Sequence, residues 1–153
     1  MIASKKYPPW RFSISDVYDL KALDLFSECD DPELDLIARL LTPIDASPGR
    51  VLMVQDGLPR QFVIVEAGEV EVVHHQPDGT DHIVTLGPDD WVGEVGLLNH
   101  VPCSATVRTR DGARVHVAGA NEFRRLVEIP SVARRLRASS ATRQAENQLV
   151  DAG

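Results

Sequence analysis

Apolar positions follow two different periods along this chain. From about residue 16 to 41 they recur every three or four places: Val17, Leu20, Leu23 and Phe26, then Leu34, Ile37, Ala38 and Leu41. That spacing gathers an apolar stripe on one face of a helix and predicts two helices. Ser15 or Asp16 is placed to cap the first, Cys29-Asp30-Asp31 turns the chain, and Pro32 stands at a favoured position opening the second. From Thr42 the pattern shortens to β-rich runs at Val51–Val54, Phe62–Val65, Val70–His74 and His82–Leu86. Turn signals separate them: Ser47-Pro48-Gly49, Asp56-Gly57-Leu58-Pro59, Ala67-Gly68, Pro77-Asp78-Gly79 and Leu86-Gly87-Pro88. Gly68-Glu69-Val70-Glu71-Val72 alternates as a half-buried strand should, and Asp78-Gly79 between two runs predicts a hairpin. Two further strands are predicted at Cys103–Arg108 and Arg114–Ala118. Helical spacing then returns. Gly119-Ala120-Asn121 opens a helix with Phe123, Leu126 and Val127 on one face, and Pro130 opens another with Val132, Ala133 and Leu136. Many short strands at spacings of roughly ten residues predict a sandwich or small barrel, so the fold class expected is mainly β with flanking helices.

Composition narrows this little. With 153 residues, 43% hydrophobic and 25% charged, the chain reads as one globular domain with a real core. No apolar run approaches the roughly 18 residues needed to span a membrane. Met1–Ser15, with Lys5, Lys6, Pro8, Pro9 and Trp10, lacks the apolar stretch of a secretory signal. Cys29 and Cys103 are too few for a disulfide framework, so a cytoplasmic protein with free thiols is expected. The boundaries expected are an arm at 1–15, a domain at 16–148 (helices 16–41, β-roll 42–118, helices 119–148) and a tail at 149–153.

Charge changes the picture more. The net charge of −7 argues against general nucleic-acid binding. Its distribution is uneven: Asp16, Asp19, Asp24, Glu28, Asp30, Asp31, Glu33 and Asp35 crowd the first helices around Lys21, whereas Arg124, Arg125, Arg134, Arg135, Arg137 and Arg143 crowd the last ones around Glu128. Either the acidic helices lie beside the basic ones, or the basic segment docks an acidic partner, or the charges are simply solvated faces.

The chemistry concentrates in Gly93–Val107, a short helical turn between two β segments that opens on a glycine and an acid. Amides at a helix start attract anions, glycine allows close approach of a ligand, and a carboxylate accepts sugar hydroxyls. The stretch resembles the phosphate-binding cassette of the cyclic nucleotide-binding domain family, roughly Gly-Glu-aliphatic-small-Leu, a spacer, then Arg-small-Ala. Gly93, Glu94, Val95, Gly96, Leu97, Ser104 and Ala105 match; Cys103 occupies the arginine position. The resemblance covers about residues 20–138 and extends to the element order, to glycines 49, 57, 68, 87 and 93, and to Glu122-Phe123-Arg124-Arg125-Leu126.

The resemblance implies an eight-stranded β-roll (a double-stranded β-helix or jelly roll) whose hinge and terminal helices relay ligand capture to an effector. It implies that Glu94 accepts a hydrogen bond from a ribose 2′-hydroxyl. The amides of Gly96 and Leu97 and the hydroxyl of Ser104 would face the cyclic phosphate. The family arginine pairs with that phosphate, and losing the charged partner of a desolvated ion pair costs about 2–5 kcal/mol. Of the candidates to compensate, His100 lies in the spacer and Arg108 has the opposite strand parity to Cys103. Three readings stay open: weak binding of cAMP or cGMP, binding of another ligand that is less anionic or neutral, or an interaction scaffold that has lost its ligand.

Family transcription factors carry a helix-turn-helix after the long helix; this chain stops at Gly153, so direct DNA binding is not expected. The expectation is a stand-alone regulatory domain, not an enzyme, acting in trans on a protein partner through Arg134, Arg135 and Arg137 or through the arm. The polar stretch Ser139–Gln148 offers no coiled-coil seam, so a monomer or weak dimer is expected, with no membrane association. The alternative from another class is a cupin-like metalloenzyme using His82 with one of His74 and His75. Adjacent histidines on a strand point to opposite faces, so surface histidines and no metal site are expected. A thiol in an anion-shaped pocket is also a candidate for a lowered pKa, against the simpler reading of Cys103 as a small buried filler. No Gly-x-Ser-x-Gly, His-Glu-x-x-His or P-loop pattern occurs, so no catalytic residue and no cofactor are assigned.

Overall fold

A computed structural model describes residues 20–138. The start of the first predicted helix and the polar stretch from Ser139 lie outside them. A helical segment at 20–22 runs into a 3-10 turn at Asp24–Phe26, followed by α1 (Asp31–Leu40). Local chemistry fixes the start of α1. The Asp30 carboxylate accepts from the Glu33 amide and the Glu33 carboxylate accepts from the Asp30 amide, each at 2.9 Å, a reciprocal capping box. Leu34 and Ile37 are buried on one face, as their spacing predicts.

The strands are β1 (Thr42–Ala46), β2 (Val51–Met53), β3 (Gln61–His75), β4 (Asp81–Leu86), β5 (Trp91–Val92) and β6 (Thr106–Gly119), with α2 (Glu94–Asn99) between the last two. α3 (Ala120–Leu126) follows, and a last helix, α4, spans 130–138. All pairings are antiparallel in the order β1-β6-β3-β4, with β2 beside β6 and β5 beside β3.

The mainly β class with flanking helices holds, but there are six strands rather than eight. Ala67-Gly68 is not a turn between two strands. It is a bulged bend inside β3, with register shifts on either side of it. The segment between the predicted strands ending at Arg108 and starting at Arg114 likewise stays within β6. Gly68 pairs with Ala113, and both Gly68 and Gly112 take positive φ, 80° and 101°. A Cβ on Gly68 would stand 2.7 Å from the Gly112 carbonyl oxygen. Gly68 in β3 and Gly112, next to its partner Ala113 in β6, let both strands bend together without breaking the ladder. The start of β6 also differs: the ladder begins at Thr106, so Cys103, Ser104 and Ala105 precede the strand. The predicted hairpin is present, with His75 opposite Asp81 and Gly79 at φ 89°.

β3 separates two apolar cores, which explains its uninterrupted run Phe62–Val65. Phe62 and Ile64 join Phe26, Ile37, Phe123, Leu126 and Leu136 on the helical side; Val63 and Val65 join Val70, Val107 and Val115 inside the roll. Phe62 and Phe123 meet with ring centroids 5.1 Å apart, fixing α3 against the sheet. α4 is tied to the first helical segment: Arg135 reaches Asp24 at 3.0 Å and Glu28 at 3.1 Å. The acidic and basic helices therefore do lie together at this point.

Candidate ligand-binding site

A cavity of about 250 Å³ opens where α2 and the residues before β6 face strands β3 and β4. Gly93, Glu94, Val95 and Gly96 line one side and Cys103, Ser104 and Ala105 another. Of the eight residues singled out in the sequence, seven border this space. Leu97 instead packs against the helical core. Val72, Val84, Leu86 and Val107 supply apolar walls. Val84 lines the cavity and is still 42% exposed, so the β4 side presents bare apolar surface toward the opening.

The glycines of the turn serve the scaffold. Gly93 caps α2 at φ 103°, and a Cβ there would stand 2.5 Å from the Gln61 carbonyl oxygen and 2.7 Å from Met53 Cε. At Gly96 a Cβ would meet Pro59 Cβ at 2.8 Å and the Val101 carbonyl oxygen at 3.0 Å. Gly93→Ala is therefore expected to lower folding stability by about 2–4 kcal/mol, from left-handed strain plus overpacking, read as a drop in the denaturant midpoint. A midpoint equal to wild type would show that the turn relaxes freely.

Glu94 is fully buried (0% exposed) in the first turn of α2, on the cavity side. Burying a carboxylate is costly, so this is a position where an acid is retained against the ordinary preference of the interior. Cys103 is held by its backbone: its amide donates to the Gly57 carbonyl at 2.9 Å and its carbonyl accepts from the Asp56 amide at 2.8 Å. Its side chain borders both this cavity and a neighbouring one of about 370 Å³ formed with Leu52–Val54 and Gly57-Leu58. Burial pushes the Cys103 thiol up from its ordinary value. The lowered pKa considered for an anion-shaped pocket does not arise.

Neither basic residue considered as a substitute for the missing arginine reaches the cavity. His100 caps the end of α2 at φ 55° and is exposed; Arg108 points its Nε at Glu71 Oε1, 3.2 Å away. The residue that does reach it is His74, which the sequence placed among surface histidines. It lines the cavity, its Nδ1 lies 3.1 Å from the Ser104 carbonyl oxygen, and its ring centroid is 6.1 Å from that of His82, its register partner on β4. His75 faces the other way and pairs with Asp81 at 2.8 Å. Strand parity was legible; that residue 104 lies beside residue 74 was not. Among the described residues no group of three or more His, Cys, Asp and Glu side chains is placed to share a metal ion.

A second charged cluster was missed altogether. In the β3 bulge Glu66 faces His116 Nε2 at 2.6 Å and Arg114 Nε at 2.8 Å, and Arg114 also reaches Asp45 at 3.3 Å. Arg114 and His116 are 1% and 2% exposed. Burial alone would raise the Glu66 carboxyl; the hydrogen bond from His116 and the charges of His116 and Arg114 outweigh it and hold the group below its ordinary value. None of these residues borders the cavity.

The strands and flanking helices define a β-roll, and comparison with known proteins agrees on the fold. The family model for the cyclic nucleotide-binding domain matches residues 43–129, and the chain belongs to that family. It is 32% identical over 118 residues to the acetyltransferase Pat of Mycolicibacterium smegmatis, covering 77% of this chain and 35% of that protein. It is 33% identical over 113 residues to a cAMP-dependent protein kinase regulatory subunit of Yarrowia lipolytica, covering 72% of this chain and 30% of that one. Among solved structures, a cAMP-binding acyltransferase from Mycobacterium smegmatis superposes with a TM-score of 0.69 at 30% identity, over 85% of this chain and 40% of that one. The Thermus thermophilus catabolite activator protein superposes with a TM-score of 0.72 at 24% identity, over 82% and 60%. The chain thus spans about a third of these two curated relatives. No helix among the described residues is long and apolar enough to cross a membrane.

Proposed function

We propose that this chain is a regulatory domain that binds a cyclic nucleotide, cAMP or cGMP, weakly in the roll cavity and acts on a partner protein, without catalysing a reaction itself. The observation that carries the reading is the buried Glu94 carboxylate sharing one cavity with Ser104 and Cys103. Glu94 suits a ribose hydroxyl, and the cassette amides with Ser104 suit a phosphate; a neutral thiol at Cys103 leaves that phosphate short of charge. Family membership and relatives named for cAMP support the ligand class. A partner would meet the exposed Arg134 and Arg137, since Arg135 is already engaged with Asp24 and Glu28. The domain is read as cytoplasmic, monomeric or weakly dimeric, and not itself bound to DNA.

A thermal-unfolding series with millimolar cAMP and cGMP tests this. Ligand at about 100 times its dissociation constant stabilises a fold by about 2.7 kcal/mol, which raises the melting midpoint visibly. A flat response to both nucleotides would overturn cyclic-nucleotide binding. The apolar walls and neutral Cys103 would then favour an uncharged ligand or a scaffold role.

A further inference from the structure

We propose that His74 supplies the cationic contact to the ligand's phosphate that Cys103 cannot, so that this domain takes up a proton when it binds a cyclic nucleotide. The inference rests on the reading of the cavity as a cyclic-nucleotide site. Among the described residues His74 is the one basic side chain lining that cavity. Its position is tied to the phosphate end, because its ring bonds the main chain of Ser104, whose hydroxyl matches a phosphate contact of the family cassette. A carbonyl oxygen only accepts, so the 3.1 Å contact to Ser104 makes Nδ1 the ring nitrogen that carries the hydrogen. Nε2 is then the atom that gains a proton, and among the described residues it has no hydrogen-bond partner. Protonated, the ring becomes a donor at both nitrogens and carries the positive charge the site otherwise lacks.

The ionisable groups around it agree with this role. Glu94 on α2 shares the cavity; the Cys103 thiol beside Ser104 is neutral. His82 on β4 faces the ring from the neighbouring strand, its centroid 6.1 Å away. Asp81 pairs with His75 and Glu71 with Arg108.

The test is isothermal titration of the full chain with cAMP, cGMP and adenosine at about pH 8 and about pH 6, the range over which histidine changes charge. Uptake of one proton changes affinity by up to about tenfold per pH unit. Cyclic nucleotide is expected to bind at least several-fold tighter at the lower pH, with proton uptake visible as a dependence of the heat on buffer, while adenosine binding stays level. His74→Gln is expected to bind weakly and without slope. His74→Arg is expected to bind tightly at both values, and His82→Gln to keep the wild-type slope. Each variant's melting midpoint certifies its fold, and His74→Arg decides the matter if His74→Gln does not fold. Cyclic-nucleotide binding without a pH slope, or a slope that survives in a folded His74 variant or vanishes only in His82→Gln, overturns the role of His74 and leaves the proposed function standing. No binding of either cyclic nucleotide at either pH overturns both.

Discussion

Replacing Cys103 by arginine is expected to tighten binding of cAMP or cGMP by between about thirtyfold and a thousandfold or more, the equivalent of roughly 2–5 kcal/mol for a desolvated charge pair. The backbone at this position is clamped to Gly57 and Asp56, so the new side chain starts from a fixed point. It also has room, because Cys103 borders two cavities, of about 250 and 370 Å³. An arginine can lie along the shared wall and present its guanidinium to the phosphate. Fluorescence competition or calorimetry with wild type and variant reads the difference directly. If affinity were unchanged in a folded Cys103→Arg protein, the phosphate would not sit beside Ser104, and the cavity would need another ligand.

Removing Arg114 is expected to have the largest effect on folding. Arg114→Ala strips a buried cation from between Glu66 and Asp45 and leaves the Glu66 carboxylate with His116 alone. Breaking a buried pair by deleting one partner costs about 3–5 kcal/mol, a large share of a small domain's stability. The pH dependence gives a second signature. Glu66 is held below its ordinary value of 4.5 in the folded state. Its contribution is therefore present in full above about that pH, and it is lost as the pH falls through the folded value. Arg114→Ala removes one cause of the lowering, so its deficit against wild type should be greatest near neutrality and shrink in acid. Urea unfolding of both proteins at neutral pH and at about pH 4 measures this; a deficit that stays constant would place the loss in packing rather than in the charges.

Local signals were legible wherever one residue type has one physical use. Pro32 and the Leu34–Ile37 spacing gave α1, and Asp78-Gly79 gave the β3–β4 hairpin with His74 opposite His82. The Asp30–Glu33 capping box was equally readable and went unused. Glycine was less informative. Gly79 does mark a turn, whereas Gly68 and Gly112 mark a shared bend inside two long strands; their positive φ values are alike, and only pairing across the sheet distinguishes them. The cassette was legible because it is contiguous. His74 and the Glu66–Arg114–His116 cluster were not, because each is assembled across strands from residues 30 to 50 positions apart. Their partners become visible only with the register. Leu97 shows the opposite limit: it lies within the contiguous cassette yet turns its side chain to the helical core.

The β3–β6 ladder runs from Gln61 opposite Gly119 to Val73 opposite Thr106, so every residue from 76 to 105 is an excursion closed inside one pair of strands. Cys103 belongs to that excursion and contributes no rung to the ladder. Gly93, Gly96, Leu97 and the buried Glu94 and Ala105 tie the cassette to the scaffold, whereas the partly buried Cys103 and the exposed Ser104 lie outside that ladder and are free to exchange side chains. Ligand preference and foldability are thus separable at these two positions. At positions 103 and 104 a lineage can drift from one small molecule to another, or to none, with the ladder left intact.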